Sequence, residues 1–422
     1  MMHRYLEIAE AADRFDFHAV WLTEHHFLEE YCHASAPEVF LAAVAARTKK
    51  LRVGHGILQM LPGINHPVRV AERISTLDLL SDGRVEFGTG EGTSRAELEP
   101  FHIDALRKRA MWVEGVKVAT RCMYESPFTG FDGEFVQFPP RDVVPKPVQR
   151  PHPPVWVSCT REETLVMAAE NGLGALNFTW AGPEECGRLV RLYYDRFEEA
   201  VPLVKEPNPN MLFLPGNLSC APTREEAKRR IGYTAGWFNF LAVRRLTMPH
   251  RPGQMDLWEE YCKIQEGKLP PLSLSEGSEG EGPEQWLARA QAENEAELER
   301  LPSVGTPQEI LENMLAYEAA GVDEMMFILP PIEHEYLMES IELLGKHVVP
   351  VIKERDQRLS AEKAKRMAPV IERARERWVD DAPPLDPEYS FMGAAKGGGG
   401  PVDLLKAGEN ARKSGASDRV HA

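Results

Sequence analysis

Side chains that could take part in catalysis or bind a ligand follow several apolar runs of this sequence. Glu24 and His25 come directly after the run HAVWLT, and His55 lies in the next run, LRVGHGILQ. A single histidine in a strand is more often a hydrogen-bonded core residue than a catalyst, so both interpretations of His55 stay open. Adjacent His25 and His26 point to opposite sides of an extended chain, which argues against a shared metal ion.

A second group of residues has the chemistry of a phosphate site. Cys159, Thr160 and Arg161 stand where a predicted strand meets the start of a helix. Free backbone amides, the helix dipole, a hydroxyl and a guanidinium could all meet a phosphate at such a junction.

Glycine and tryptophan at two other strand ends suggest a flat ligand. Gly88 and Gly90, in the run GTGEG, let backbone approach a planar group, although any tight turn also uses glycine. Trp180 could lay its ring against a conjugated system or fill the core. Composition and spacing therefore predict a phosphorylated planar ligand without naming it.

The elements that must position these residues alternate regularly. Each apolar run with strand composition is separated from the next by a segment of helix length, which predicts parallel strands joined by crossovers. We place seven strands near residues 18, 52, 85, 156, 176, 212 and 325. Capping boxes are predicted at Ser35–Glu38 and Thr306–Glu309, each at the start of a helix.

This pattern predicts an α/β fold, a TIM-type (β/α)8 barrel. Closure needs an eighth strand, and because the first predicted element is a helix, we expect the first strand to be missing. In such barrels function lies at the carboxyl ends of the strands, which is where the candidate residues fall.

The chain divides into a barrel and an extension. The barrel takes residues 1–352, and within it the acidic, proline-rich excursion 247–282 is interpreted as an active-site lid, with a solvated loop as the alternative. A helix is predicted over 284–300. A charged helical extension or helix pair at 353–379 follows, and we expect a disordered tail at 380–422.

Composition excludes several classes of partner. A formal net charge of -16 leaves no basic surface for nucleic acid or an anionic membrane, so a small molecule is the better ligand. No run of about 18 uncharged apolar residues could span a bilayer. The six cysteines form no CxxC pair, so we expect reduced thiols and a cytoplasmic protein.

Several long motifs together resemble the bacterial luciferase-like flavin-dependent monooxygenase family. The resemblance extends over most of residues 1–350 and is carried by WLTEHHF, SAPEVFLAAVAARTKKLRVGHGI, NHPVRVAERISTLDLLSDGRVEFGTG, PKPVQRPHPPVWVSCTREET and VGTPQEILENMLAYEAAGVDEMMF. It implies a TIM-type barrel that uses reduced FMN from a separate flavin reductase, with a deazaflavin coenzyme as the alternative. O2 would then oxygenate a small organic substrate, and monomer and homodimer stay open.

The resemblance also implies roles for residues. His25, with Glu24 beside it, is the catalytic candidate, because the matching histidine lies near the reactive edge of the flavin and can hold and protonate the oxygen adduct. The expected cofactor-binding residues are His55, Gly88, Gly90, Cys159, Thr160, Arg161, Thr164 and Trp180. Four of them, Cys159, Thr160, Arg161 and Thr164, fall where the family binds the FMN phosphate.

The sequence departs from the family pattern at two places. The first strand is missing, and Glu91 stands where an arginine meets the phosphate, so Arg161 or Arg95 would have to compensate. Two alternatives follow. One is a non-catalytic or truncated flavin-binding barrel, and the other is a metal-dependent barrel hydrolase that uses His25, His55 and His66.

Overall fold

Seven parallel strands form one curved sheet in the computed structural model of the protein. Their order in space is their order along the chain, and a short further strand, Leu58–Gln59, pairs with one of them. In chain order the strands are β1 Ala19–Leu22, β2 Arg52–His55, β3 Leu58–Gln59, β4 Val85–Gly90, β5 Phe131–Asp132, β6 Gln137–Phe138, β7 Val155–Cys159, β8 Gly174–Asn177, β9 Met211–Asn217, β10 Ser219–Cys220, β11 Val304–Gly305 and β12 Glu324–Ile328.

Helices connect the strands and cover the outer face of the sheet. The helices are α1 Met2–Arg14, α2 Pro37–Arg47, α3 Pro67–Leu80, α4 Arg95–Leu98, α5 Lys108–Tyr124, α6 Glu162–Glu170, α7 Pro183–Phe197, α8 Arg224–Ile231, α9 Leu257–Gln265, α10 Pro307–Ala319, α11 His334–His347 and α12 Val349–Arg377, with a 3-10 turn at Gly232–Gly236. In the described part of the chain, none of them has the length and apolar character that crossing a membrane requires.

The structure describes residues 2–178, 181–237, 240, 241, 244, 251, 253, 254, 256–266, 268, 269 and 301–390. The predicted helix 284–300 and most of the predicted tail lie outside these residues. The predicted lid is described only in part, and there it contains α9, a helix that the sequence did not predict. The chain forms two compact units, Met1–Ala382 and Pro383–Ala422, and the second is irregular up to residue 390.

The two faces of the sheet bury different residues because side chains alternate along each strand. Val53 and Phe87 point outward and pack among helix residues that include Leu41, Ile74 and Val116. Another cluster, Trp156, Leu176 and Leu212 with Trp21, Ile57, Phe178 and Met326, fills the inside of the curved sheet. This separation confirms a TIM-like fold whose interior is packed with side chains rather than open as a pore.

The sheet is open between β1 and β12. Each of these strands pairs with one neighbour within the seven-stranded path, so among the described residues the two edges do not hydrogen-bond to each other. The seven strands of this path agree with the seven expected from the sequence, and no strand among the described residues closes the sheet. At the amino ends of the two edge strands, His18 Nε2 lies 4.0 Å from Glu324 Oε1.

Two local predictions differ from the structure. The run LRVGHGILQ was expected to be one strand but forms β2 and β3, with a cis peptide between Gly56 and Ile57. The capping box at Ser35–Glu38 is wrong, because Ala36 occupies the cap and Glu38 instead binds Arg73 of α3. A tertiary ion pair has taken the carboxylate that the local motif needed. The capping box at Thr306–Glu309 is confirmed.

The charged sequence after Val348 forms one long helix, α12, that lies against the barrel. Its Met367 and Val370 are buried in the main core. Lys363 Nζ lies 2.7 Å from Asp323 Oδ1, and Asp323 Oδ2 accepts hydrogen bonds from Tyr194 Oη at 2.6 Å and from the Met211 amide at 2.8 Å. Asp323 therefore joins α12 to the starts of β9 and β12.

Replacing Asp323 with alanine should destabilise the fold by about 3 kcal/mol. The variant leaves a largely buried ammonium, a phenol and a backbone amide without their shared acceptor. Urea unfolding measures the change, with Glu342→Ala as the control because Glu342 pairs with Lys346 on an exposed face. Equal stability of Asp323→Ala and the control would show that the cluster does not hold α12 in place.

Candidate functional site

The candidate residues gather at the carboxyl edge of neighbouring strands. β1, β2, β4 and β7 are adjacent and parallel, so the segments that follow them lie side by side. Helix α4, which begins five residues after β4, contacts the segment after β1 through its side chains. The site is therefore assembled from segments far apart in the sequence.

A buried carboxylate holds the imidazole of His25. His25 Nδ1 lies 3.1 Å from Glu97 Oε1, and Glu97 also accepts hydrogen bonds from the His26 amide at 2.9 Å and from Gln59 Nε2 at 3.0 Å. Burial alone would raise the pKa of Glu97, but these donors outweigh burial and lower it. Because an ionised carboxylate only accepts hydrogen bonds, the proton of a neutral His25 lies on Nδ1 and Nε2 is left as a base.

The neighbouring His26 is held by a second buried carboxylate. His26 Nε2 lies 3.0 Å from Glu24 Oε1, and that hydrogen bond raises the pKa of His26. Glu24 is 4% exposed and also accepts from Asn65 Nδ2 at 2.9 Å and from the Gln59 amide at 2.6 Å. Glu24, predicted as catalytic, is thus placed as a buried support beneath His26 rather than in contact with His25.

Two cations at the start of α5, Lys108 and Arg109, contact the segment after β4. Arg109 Nε donates to Glu91 Oε1 at 2.7 Å, and the Lys108 ammonium donates to the Gly92 carbonyl at 2.6 Å. Burial lowers the pKa of Lys108, and the charges that act on it are those of Glu91, Arg109 and Arg161. Arg161 forms no ion pair with the residues that the structure describes. Three cations against one carboxylate leave a net positive site that fits a phosphate dianion.

Of the two arginines expected to compensate for Glu91, only one lies in this group. The charge of Arg161 contributes to lowering the pKa of Lys108. Arg95 is highly exposed, and its Nη2 lies 3.5 Å from Oε1 of Glu99, the residue that follows α4. Arg109, which the sequence analysis did not single out, provides the direct ion pair to Glu91.

The other residues of the predicted phosphate loop mostly support the turn. Cys159 is 1% exposed, and burial raises the pKa of its thiol to about 12, so it is neither exposed nor ionised. Thr164 Oγ1 donates to the Arg161 carbonyl at 2.7 Å and accepts from the Arg161 amide at 3.2 Å, which closes the turn before α6. Thr160 is exposed beside them. The side chain of Ser158 lies on the same inner face as Gly90, since a Cβ placed on Gly90 would be 3.2 Å from Ser158 Oγ.

Gly88 and Gly90 let neighbouring chain pass close to β4. A Cβ on Gly88 would lie 1.8 Å from the His55 carbonyl oxygen, and one on Gly90 would lie 2.6 Å from Ile57. The His55 side chain follows Gly54, which faces Trp21 inside the sheet, so it points to the opposite, helix-covered side. Burial lowers the pKa of His55 to about 4, which makes it a neutral core histidine.

The remaining predictions concern Trp180 and the alternative metal site. Trp180 lies outside the described residues. The described residues contain no group of three or more His, Cys, Asp or Glu side chains that could hold a metal, so His25, His55 and His66 are not brought together as ligands.

Sequence reasoning missed the residues that organise the site. Glu97 binds His25, whereas Gln59 and Asn65 hydrogen-bond to the carboxylates that hold the two histidines. Lys108 and Arg109 supply two of the cations. Glu97 is separated from His25 by 72 residues, so no local motif links them. Asn65 lies two residues before α3 begins at Pro67, and this position near a helix start is the nearest signal that the sequence offered.

Comparison with known proteins identifies the class of protein that this fold and site define. The sequence model of the luciferase-like monooxygenases matches residues 2–324, and the chain belongs to that family. The oxygenase component of flavin-dependent trigonelline monooxygenase from Acinetobacter baylyi is 25% identical over 357 residues, 83% of this chain and 89% of that protein. The uncharacterised protein y4wF of Sinorhizobium fredii is 36% identical over 209 residues, 50% of this chain and 58% of that protein.

Solved structures show the same fold. A type II Baeyer–Villiger monooxygenase, the oxygenating constituent of 3,6-diketocamphane monooxygenase from Pseudomonas putida in complex with FMN, is 18% identical with a TM-score of 0.61 and covers 83% of this chain and 92% of its own. An F420-dependent secondary alcohol dehydrogenase is 16% identical with a TM-score of 0.58, covering 82% and 94%.

Replacing Glu24 with glutamine should lower the pKa of His26 toward its ordinary value of about 6.5. Because the pKa of His26 is raised in the folded protein, its contribution to stability is complete below about pH 6 and is lost as the pH rises through the raised value. The variant should therefore lose about 1–3 kcal/mol at pH 5.5 and less at pH 9. NMR titration measures the pKa of His26, and urea unfolding measures the loss of stability. An equal loss of stability at the two pH values would contradict the role of Glu24 in raising the pKa of His26.

Proposed function

We propose that the protein is the oxygenase component of a flavin-dependent monooxygenase, which takes reduced FMN from a separate reductase. Bound reduced FMN would supply two electrons to O2, so that one oxygen atom enters a small organic substrate and the other leaves as water. Membership of the luciferase-like monooxygenases supports this reaction class. The observation that carries it is the pairing of an oriented imidazole with a cationic group at one edge of the barrel.

The cationic group fits the FMN phosphate. Arg161 and Lys108 would hold the phosphate, and Arg109 would share its charge between the phosphate and Glu91. A guanidinium can bind two phosphate oxygens at once, so arginine is well suited to this role. Among the predicted phosphate residues, Thr164 and Cys159 would act only by shaping the turn that presents Arg161.

His25 is the residue that would hold or move a proton. Its Nδ1 is committed to Glu97, so Nε2 is the atom that can accept or return a proton. About a quarter of the His25 side chain is exposed, which leaves it accessible from the carboxyl edge. The apolar side chains inside the sheet, Trp21, Ile57 and Phe178 among them, would exclude water beneath the flavin.

The choice between FMN and a deazaflavin coenzyme is part of the proposal. The structural neighbours include an FMN complex and an F420-dependent enzyme, and both share this fold. The monooxygenase family and the flavin-dependent relative over most of the chain favour FMN. Titrating the protein with reduced FMN, oxidised FMN and a deazaflavin distinguishes them.

The open edge of the sheet supports a second candidate, a flavin-binding barrel without turnover. β1 and β12 have no bridging strand among the described residues, so the interior is less enclosed than in a closed barrel. Such a protein would bind reduced FMN but release all the oxygen that it consumes as hydrogen peroxide.

Removing either arginine should weaken FMN binding without affecting riboflavin, which has no phosphate. Arg161→Ala and Arg109→Ala should each raise the Kd for FMN about tenfold, whereas Glu91→Gln should lower it because a repelling charge is removed. Fluorescence titration measures these constants, and Arg95→Ala is the matched control. A parallel loss of riboflavin affinity would show that the cations do not bind the phosphate.

His25→Ala should increase the share of reduced FMN that ends as hydrogen peroxide by roughly tenfold, with the Kd for FMN unchanged. Without the imidazole, no base at Nε2 retains or returns the proton during oxygen transfer. Peroxide is measured after mixing reduced FMN, O2 and an accepted substrate, and His33→Ala, in the same segment and exposed, is the control. An unchanged peroxide yield in His25→Ala would remove this histidine from the reaction.

A further inference from the structure

The segment between His25 and Ala34 makes contacts that the proposed reaction does not use. Three consecutive residues of this segment, Glu29, Glu30 and Tyr31, face the part of the chain between β10 and β11 that contains α9. That part falls within the excursion that the sequence analysis interprets as a lid. The contacts therefore link the excursion to the segment that carries His25.

Glu30 binds the start of α9 with both carboxylate oxygens. Oε1 accepts the Leu257 amide at 2.7 Å, and Oε2 accepts the Trp258 amide at 2.7 Å. Asp256 accepts the next amide, that of Glu259, at 2.7 Å. The first amides of a helix have no partner within the helix. In α9 two of these amides, those of Leu257 and Trp258, donate to Glu30, which lies in the segment after β1.

Glu29 adds a third hydrogen bond next to this helix. Its Oε1 accepts the Gly253 amide at 2.7 Å, four residues before α9 begins. The two glutamates together bind three backbone amides of the excursion. Backbone amides are present whatever the side chains are, so these contacts fix the position of the main chain itself.

Tyr31 contacts both the imidazole of His25 and a cluster that includes residues of α9. Its ring packs against an aromatic cluster made by Trp237, Phe240 and Tyr261 of the excursion and the chain before it. The ring centroid of Tyr31 also lies 5.1 Å from that of His25, with the planes at 81°. Edge-to-face contacts of this kind favour one ring orientation.

We propose that Tyr31 is a positioning residue for His25, and that Glu29 and Glu30 hold α9 against Tyr31. Glu97 fixes His25 at Nδ1, and Tyr31 limits rotation of the ring about that hydrogen bond. When α9 is held, both constraints act and Nε2 keeps one direction. The role in oxygen transfer rests on the proposed function, whereas the physical linkage between α9 and His25 does not.

The first test uses the protein without flavin. Glu30→Ala should accelerate hydrogen exchange in peptides from Leu257–Gln265 roughly tenfold, because the helix start loses its acceptors. Glu30→Gln, which retains one acceptor oxygen, should lie between. Glu259→Gln is the control, since Glu259 is exposed on the same helix and pairs with Lys263. Unchanged exchange in Glu30→Ala would show that the carboxylate does not hold α9.

The second test reads the imidazole directly. In protein labelled with 15N-histidine, Tyr31→Ala and Glu30→Ala should both shift the ring nitrogen signals of His25. Tyr31→Phe keeps the aromatic edge and should retain the wild-type signals. If Tyr31→Ala leaves the His25 signals unchanged, Tyr31 does not position that ring.

The third test joins the linkage to the reaction. Tyr31→Ala and Glu30→Ala should raise the peroxide yield several-fold at an unchanged Kd for FMN, whereas Tyr31→Phe and Glu259→Gln should not. If wild-type protein oxygenates no substrate, the proposed function fails while the exchange and NMR results still decide the linkage. If the first two tests succeed and the peroxide yield does not rise, the linkage is structural and Tyr31 has no role in oxygen transfer.

Discussion

Two carboxylates buried side by side at the barrel edge are the constraint on which the site depends. Glu97 and Glu24 are 1% and 4% exposed, and a buried negative charge is tolerated only when donors surround it. Gln59 donates to both, its amide to Glu24 and its side chain to Glu97. The histidines complete the two sets of donors. Satisfying these charges therefore fixes His25 and His26 against two different carboxylates, although the histidines are adjacent in the chain.

The same edge of the sheet places a positive group near this negative pair. Lys108, Arg109 and Arg161 come from the starts of two helices, and Glu91 pairs with Arg109 and acts on the charge of Lys108. Separating acidic and basic clusters along one edge is costly unless a ligand or solvent balances them. A ligand with an anionic end and an uncharged ring system would balance the positive charge without adding charge beside the carboxylates. The arrangement of side chains therefore supports the proposed phosphorylated flavin more than a metal ion.

Helix α12 contributes stabilising contacts to the open sheet at the starts of β9 and β12. Asp323 binds Lys363 of α12 together with Tyr194 and the start of β9, and Met367 and Val370 of the same helix enter the main core. Helix α12 is charged on most of its surface, so its sequence indicates a solvated helix. It is attached by three buried apolar residues at helical spacing, Met367, Val370 and Ala374, together with the ion pair between Lys363 and Asp323.

The positions and order of the seven parallel strands could be predicted because they are encoded locally. Apolar runs, capping residues and helix-length crossovers are features of neighbouring residues, and Thr306–Glu309 shows that a local cap survives when nothing competes for its carboxylate. Predictions failed where a tertiary contact or the strand geometry placed a side chain elsewhere. Glu38 was taken by Arg73, and His55 was turned away from the interior by the alternation of β2.

The sequence by itself determined seven parallel strands joined by helix-length crossovers, the positions of those strands and the edge at which the candidate residues lie. The tertiary structure alone decided which side chains meet there. Glu97 reaches His25 across 72 residues because the segments that follow β1 and β4 lie at the same edge of the sheet, and Arg109 of α5 rather than Arg95 reaches Glu91. Contacts of that kind depend on closure over long sequence separations, and no pattern of neighbouring residues records them.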